Sequence, residues 1–141
     1  MAHENSARCM LTDCEPFSRL RVLVADDDDV NRRLAGIILS RAGVDATVVE
    51  SGEAALEALH AASFDLILLD VEMPGLSGPE TAQRIRRDHT TPGQCTLIVA
   101  LTAHSGHKEH ACCLDSGMDA VLVKPLSLER LSPFLAARRD C

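Results

Sequence analysis

The sequence predicts an α/β fold, a doubly wound five-stranded parallel sheet flanked by five helices in a single domain. Two observations carry that prediction. Five short apolar runs alternate with five stretches of helical periodicity, and strands separated by helices of about a dozen residues need crossover connections, hence a parallel sheet. The central run, Leu66 to Leu69, is apolar at every position, as a strand covered on both faces must be. Size agrees: 141 residues, 46% of them hydrophobic, suffice for one core that buries about 70% of the surface exposed by the unfolded chain.

Residues 1–18 carry no periodic apolar pattern and are expected to form a flexible tail or linker. The first strand, 20–25, runs into four aspartates, Asp26 to Asp29. Val30, Leu34, Ile37 and Ile38 then recur with the spacing of an amphipathic helix, which Asp28 or Asp29 is placed to cap and Gly43 to end. Next come a strand at 46–49, an Ala- and Leu-rich helix at 52–62 and the central strand at 64–69. Ser77 and Glu80 have the spacing of a capping box and open a helix at 77–87. After a loop at 90–94 follow a strand at 96–101, a helix at 105–116, a strand at 120–123 and a last helix at 127–138. The domain is therefore expected at 19–138, with 139–141 as its C-terminal end. No fixed-period repeat or low-complexity tract is present.

Composition narrows the function classes. A formal charge of −7 and a pI near 5.3 argue against a nucleic-acid surface, which requires a basic face. No run of 18 apolar residues exists, and the first ten residues lack both a basic start and an apolar core, so neither membrane contact nor a signal peptide is expected. The six cysteines are scattered and form no C-x-x-C pair. Reduced thiols and a cytoplasmic location are the expectation.

In a parallel sheet every strand points its carboxyl end at one edge, where open α/β sheets bind ligands. The first strand delivers Asp26 and Asp27 there, the third Asp70, the fourth Thr102 and the fifth Lys124, which Pro125 follows in a turn. Three carboxylates, a hydroxyl and an ammonium are thus expected to converge. Crowded carboxylates repel, so their pKa values should rise and the cluster should welcome a divalent cation. Oxygen-only ligands suit Mg²⁺, with Mn²⁺ as an alternative.

The chain resembles the receiver domains of two-component response regulators. The residues that carry the resemblance are VLVADDDDVNRR (22–33), LILLDVEMPGLSG (66–78), IVALTAH (98–104), SGMDA (116–120) and VLVKPLS (121–127), in the family's order along nearly the whole chain. The resemblance implies the strand order 2-1-3-4-5. It implies that Asp70 is a phosphoacceptor, taking a phosphoryl group from a histidine kinase or a histidine phosphotransfer protein. It further implies Mg²⁺ held by Asp27, Asp70 and the main-chain carbonyl of Glu72, with Asp26 on a metal-bound water. Lys124 and Thr102 would contact phosphoryl oxygens, assisted by the main-chain N–H groups of Val71 and Ala103. Such domains switch a protein-binding surface toward an output protein, which the sequence does not identify. Many carry an aromatic residue three positions before the lysine, where this chain has Val121. With only three aromatic residues, Phe17, Phe64 and Phe134, the signal is expected to pass through the loop and helix after Thr102 instead.

Two rivals share the chemistry. A degenerate receiver would bind partners without being phosphorylated, but the five-residue set is intact. A phosphatase of the haloacid-dehalogenase type also uses an aspartate and Mg²⁺, but its D-x-D motif is not met, since Glu72 stands two residues after Asp70. His104, His107 and His110, with Cys112 and Cys113, invite a zinc reading; the residues drift around a helix, so a solvated polar face with Cys113 packed inward is expected. The basic run 84–89 is expected to be the exposed end of the third helix, where positive charge complements the macrodipole. The VNRR and ALTAH segments resemble receivers carried on hybrid sensor histidine kinases. With only 139–141 beyond the last helix, the chain is expected to be a free-standing regulator or an excised receiver, without a DNA-binding effector.

Overall fold

Successive side chains of a strand point to opposite faces, and this alternation sorts the core into two layers. In the computed structural model, which describes residues 20–88, 96–103 and 106–139, the chain order is β1 (Arg21–Ala25), α1 (Asp29–Arg41), β2 (Asp45–Val49), α2 (Gly52–Ala61), β3 (Leu66–Asp70), α3 (Gly78–Asp88), β4 (Leu97–Thr102), α4 (His107–Asp115), β5 (Ala120–Val123) and α5 (Leu128–Arg139). All five strands are parallel, in the order β2-β1-β3-β4-β5. The expected tail at 1–18, the loop at 90–94, His104 and Ser105 lie outside the described residues.

On one face Val22, Val24, Leu66, Leu68, Val99 and Leu101 pack against Ala35 and Leu39 of α1 and Leu131 and Leu135 of α5. On the other, Leu23, Ala25, Ile67, Leu69, Ile98 and Ala100 meet Ala55 of α2, Ala82 and Ile85 of α3 and Cys113 of α4. Each side chain of the size of Leu or Ile removed from water in this way contributes about 1.5–3 kcal/mol. β3 is buried at every position, which accounts for its unbroken apolar run.

Local chemistry sets the helix ends. The Asp28 carboxylate accepts from the Val30 N–H at 2.9 Å and caps α1. That helix closes in a Schellman turn: Gly43 takes φ +79°, its N–H donates to the Ser40 carbonyl, and the Val44 N–H donates to the Leu39 carbonyl. α3 opens with the expected capping box, in which the Ser77 N–H donates to Glu80 Oε1 at 3.0 Å and the Glu80 N–H donates to Ser77 Oγ at 3.2 Å. Hydrogen bonding from the Ser77 N–H, and then from its hydroxyl, holds the exposed Glu80 carboxyl below its usual pKa.

Arg86 departs from expectation. Read with its neighbours as an exposed helix end, it instead donates to the Gly117 carbonyl at 2.8 Å, the Thr96 carbonyl at 3.2 Å and the Asp119 carboxylate at 2.6 Å. Asp119 also accepts from the Ile98 N–H. The guanidinium therefore ties the end of α3 to the start of β4 and to the turn after α4, while Arg84 and Arg87 remain exposed. The three acceptors come from distant parts of the chain, so the helical pattern around Arg86 carries no sign of them.

Candidate functional site

The register of β1 against β3 pairs Ala25 with Leu69, so Asp26 and Asp70 leave adjacent strands at the same height. Both belong to the alternation that includes Val24 and Leu68, and both are buried, Asp26 1% and Asp70 5% exposed. Lys124 follows β5, whose Leu122 packs on the same layer. Alternation thus sends the three side chains toward one another, and the Lys124 ammonium lies 3.1 Å from Asp26 Oδ2 and 3.2 Å from Asp70 Oδ1. The Lys124–Pro125 peptide is cis. Asp27 is exposed at the rim, and one carboxylate oxygen each from Asp26, Asp27 and Asp70 lies within 4.8 Å of the others.

The acidic turn is held by its backbone. The Asp28 N–H donates to Asp26 Oδ1 at 2.9 Å, and Arg32 donates to the Asp26 carbonyl at 2.7 Å while pairing with Asp29. Arg32 thus supports the site from outside the expected residues. Its signal was the Asp29···Arg32 spacing of i, i+3 on a helix face. On the far side of Asp70, a Cβ at Gly78 would stand 2.5 Å from the Asp70 carbonyl, so only glycine lets α3 begin so close to β3.

Electrostatics single out Asp70. Burial and the facing charge of Asp26 push its carboxyl up to about 7, against the opposing pull of Lys124 and the Glu72 N–H. For Lys124, burial favours the neutral amine, but Asp70 and Asp26 together outweigh it and the ammonium is held above its ordinary value. A carboxylate this costly to ionise gains from any cation that reaches it.

One of the two expected N–H donors already has a partner in the sheet. The Val71 N–H donates to the Leu101 carbonyl at 3.0 Å as part of the β3–β4 ladder, so it is already engaged. The N–H that reaches Asp70 is that of Glu72, which donates to Oδ1 at 3.3 Å. Glu72 itself is exposed in the turn after β3, and Ala103 is exposed after β4. Thr102, 2% exposed, donates its hydroxyl to Glu109 on α4. Val121 packs against the layer that holds Cys113 and Met118. Among the described residues, the carboxylates of Asp26, Asp27 and Asp70 form the one cluster with metal-ligand geometry. The zinc reading included His104, which lies outside them; Cys113 is fully buried and Cys112 exposed.

Residues 22–135 match the response regulator receiver domain. The chain is 42% identical over 113 residues to the sensor protein GacS of Pseudomonas syringae pv. syringae, a match covering 79% of this chain and 12% of GacS. It therefore spans about an eighth of that relative's length. Among solved structures, the receiver domain of the sensor histidine kinase PA1611 from Pseudomonas aeruginosa, with a magnesium ion coordinated in its active-site cleft, superposes with a TM-score of 0.76 at 28% identity, over 86% of this chain and 98% of that one. The receiver domain of Ssk1 from Saccharomyces cerevisiae was solved in complex with the histidine phosphotransfer protein Ypd1. That structure gives a TM-score of 0.77 at 27% identity, over 85% of this chain and 88% of the other.

Proposed function

This chain belongs to the response regulator receiver family of two-component signal transduction, and we propose that Asp70 is its phosphoacceptor in a phosphorelay. The observation that carries the proposal is the bridging position of Lys124, 3.1 Å from Asp26 and 3.2 Å from Asp70. One cation at that point orients the nucleophile and faces the phosphoryl oxygens that would arrive on it.

Each residue then has a task. Asp70 offers a carboxylate oxygen to phosphorus, and the phosphorus–nitrogen bond of a phosphohistidine breaks as the new phosphorus–oxygen bond forms. Phosphoryl transfer needs alignment and charge neutralisation more than covalent help. Lys124 supplies fixed positive charge, the Glu72 N–H holds Asp70 Oδ1, and Thr102 offers a hydroxyl from the neighbouring strand. Asp26, Asp27 and Asp70, with the main-chain carbonyl of Glu72, would hold Mg²⁺: the donors are all oxygen, and the Asp70 carboxyl, pushed up to about 7, gains from a cation. When bound, the ion neutralises charge on the phosphoryl oxygens.

The donor is a histidine kinase or a histidine phosphotransfer protein, in line with the complex formed by Ssk1. The output is a change of protein-binding surface, and residues 19–138 form the functional unit. No turnover of an external substrate is assigned beyond transfer to Asp70 and loss of the group from it. Fluorine NMR with beryllofluoride and Mg²⁺ tests the reading. A bound resonance in wild type that disappears in Asp70→Asn supports it, and binding that survives the substitution overturns it.

A further inference from the structure

Strand alternation places Thr102 on the face of Ile98 and Ala100, the layer covered by α2, α3 and α4. Asp70, by contrast, shares its face with Leu66 and Leu68, beneath α1 and α5. Thr102 thus ends next to Asp70's strand while its hydroxyl donates to Glu109, in the first turn of α4.

The start of α4 makes that bond unusual. In α3, the third helical residue, Glu80, folds back to close a capping box with Ser77. Glu109 occupies the same third position in α4, but the cap residue is Gly106, which makes no side-chain cap hydrogen bond. With no hydroxyl to complete a capping box, the Glu109 carboxylate reaches back to the end of β4 instead. The bond spans the junction between the site edge and the helix.

We propose that Glu109 is a positioning residue for the phosphoryl reaction, holding the Thr102 hydroxyl toward α4 until a phosphoryl oxygen on Asp70 competes for it. The proposal rests on Asp70 being the phosphoacceptor. A hydroxyl has one proton to donate, so donation to the phosphoryl group breaks the bond to Glu109. The arriving negative charge also repels the released carboxylate. Both effects free the first turn of α4. The equilibrium moves only by the difference between the bond made and the bond lost, so Glu109 sets how much of the phosphoryl contact is converted into movement.

Beryllofluoride titration in saturating Mg²⁺, read by fluorine NMR and paired with amide exchange, tests this. Glu109→Ala removes the competing acceptor, and binding is expected to tighten about tenfold, the worth of one charge-assisted hydrogen bond. Exchange in the first turn of α4 without beryllofluoride should rise toward the level that wild type reaches only with it. Glu109→Gln, whose carboxamide oxygen still accepts, should fall between the two. The gain should vanish when Thr102→Ala is already present, which a merely structural role for Glu109 does not predict. Unchanged affinity in Glu109→Ala, or a gain that persists without the Thr102 hydroxyl, overturns the role of Glu109 while leaving Asp70 in place. Failure of beryllofluoride to bind wild type overturns the Asp70 assignment and this proposal with it.

Discussion

Lys124 holds its ammonium 3.2 Å from Asp70, yet the Asp70 carboxyl is still pushed up to about 7. Burial and Asp26 together outweigh the cation. The Asp70 charge is therefore costly in the metal-free protein, and a cation at the three carboxylates would offset that cost.

A pH dependence follows. The folded carboxyl at about 7 binds its proton more tightly than the unfolded one at 3.8, so its contribution to stability is complete below 3.8 and is lost as pH rises through 7. In a metal chelator, the melting temperature of wild type should fall over that interval, with a shallower fall in Asp70→Asn. At pH 8 the variant should be the more stable by about 1 kcal/mol, roughly 4 °C for a domain of this size. Parallel curves for the two proteins would show that the Asp70 charge is not buried at a cost.

Magnesium should reverse the loss. A ligand that binds only the folded state stabilises it by mass action, about 2.7 kcal/mol at one hundred times its dissociation constant. Asp27→Ala should remove most of that gain in a thermal titration while leaving the metal-free protein as stable as before or more so. An unchanged Mg²⁺ response in the variant would place the ion elsewhere.

Much of this site was legible in the sequence because a parallel sheet gathers its strand ends on one edge and alternation fixes which side each residue takes. Asp26, Asp70 and Lys124 need only those two rules. Thr102 obeys the same rules and lands on the other layer, where its partner depends on the seating of α4, which no apolar stripe in residues 107–115 specifies. Glu109 therefore went unnoticed. The partner of the Val71 N–H was hidden for a related reason: the ladder with β4 extends one residue past Asp70 and engages it. Arg86 looked like surplus helix charge because Thr96, Gly117 and Asp119 lie 10 to 33 residues away. Strand and helix limits shifted by a residue or two, as at β3, read as 64–69 and observed at Leu66–Asp70.

Arg86→Ala should cost about 1–3 kcal/mol, because it leaves the Gly117 and Thr96 carbonyls without the guanidinium. Arg86→Lys should recover little, since an ammonium lacks the planar fork that reaches three acceptors. Urea denaturation measures both. Equal stability of wild type and Arg86→Ala would mean that the clamp between α3 and the turn after α4 is not a stabilising element.

The route of the signal should reflect Val121. A β-branched side chain has few rotamers, and Val121 is packed against the α4 layer, so it is expected to keep its rotamer on beryllofluoride binding. Amide exchange should change most within residues 104–126. Changes confined to α2 and α3, or a switch undiminished by Thr102→Ala, would contradict a relay through α4.

The central claim is that Asp70 accepts a phosphoryl group, and the most direct measurement is the intact mass of the protein after incubation with acetyl phosphate and Mg²⁺. Wild type should gain the mass of one phosphoryl group, and the gain should be absent both in Asp70→Asn and in the presence of a metal chelator. Equal labelling of wild type and Asp70→Asn would contradict the assignment, and no labelling of wild type would mark the chain as a receiver that binds partners without being phosphorylated.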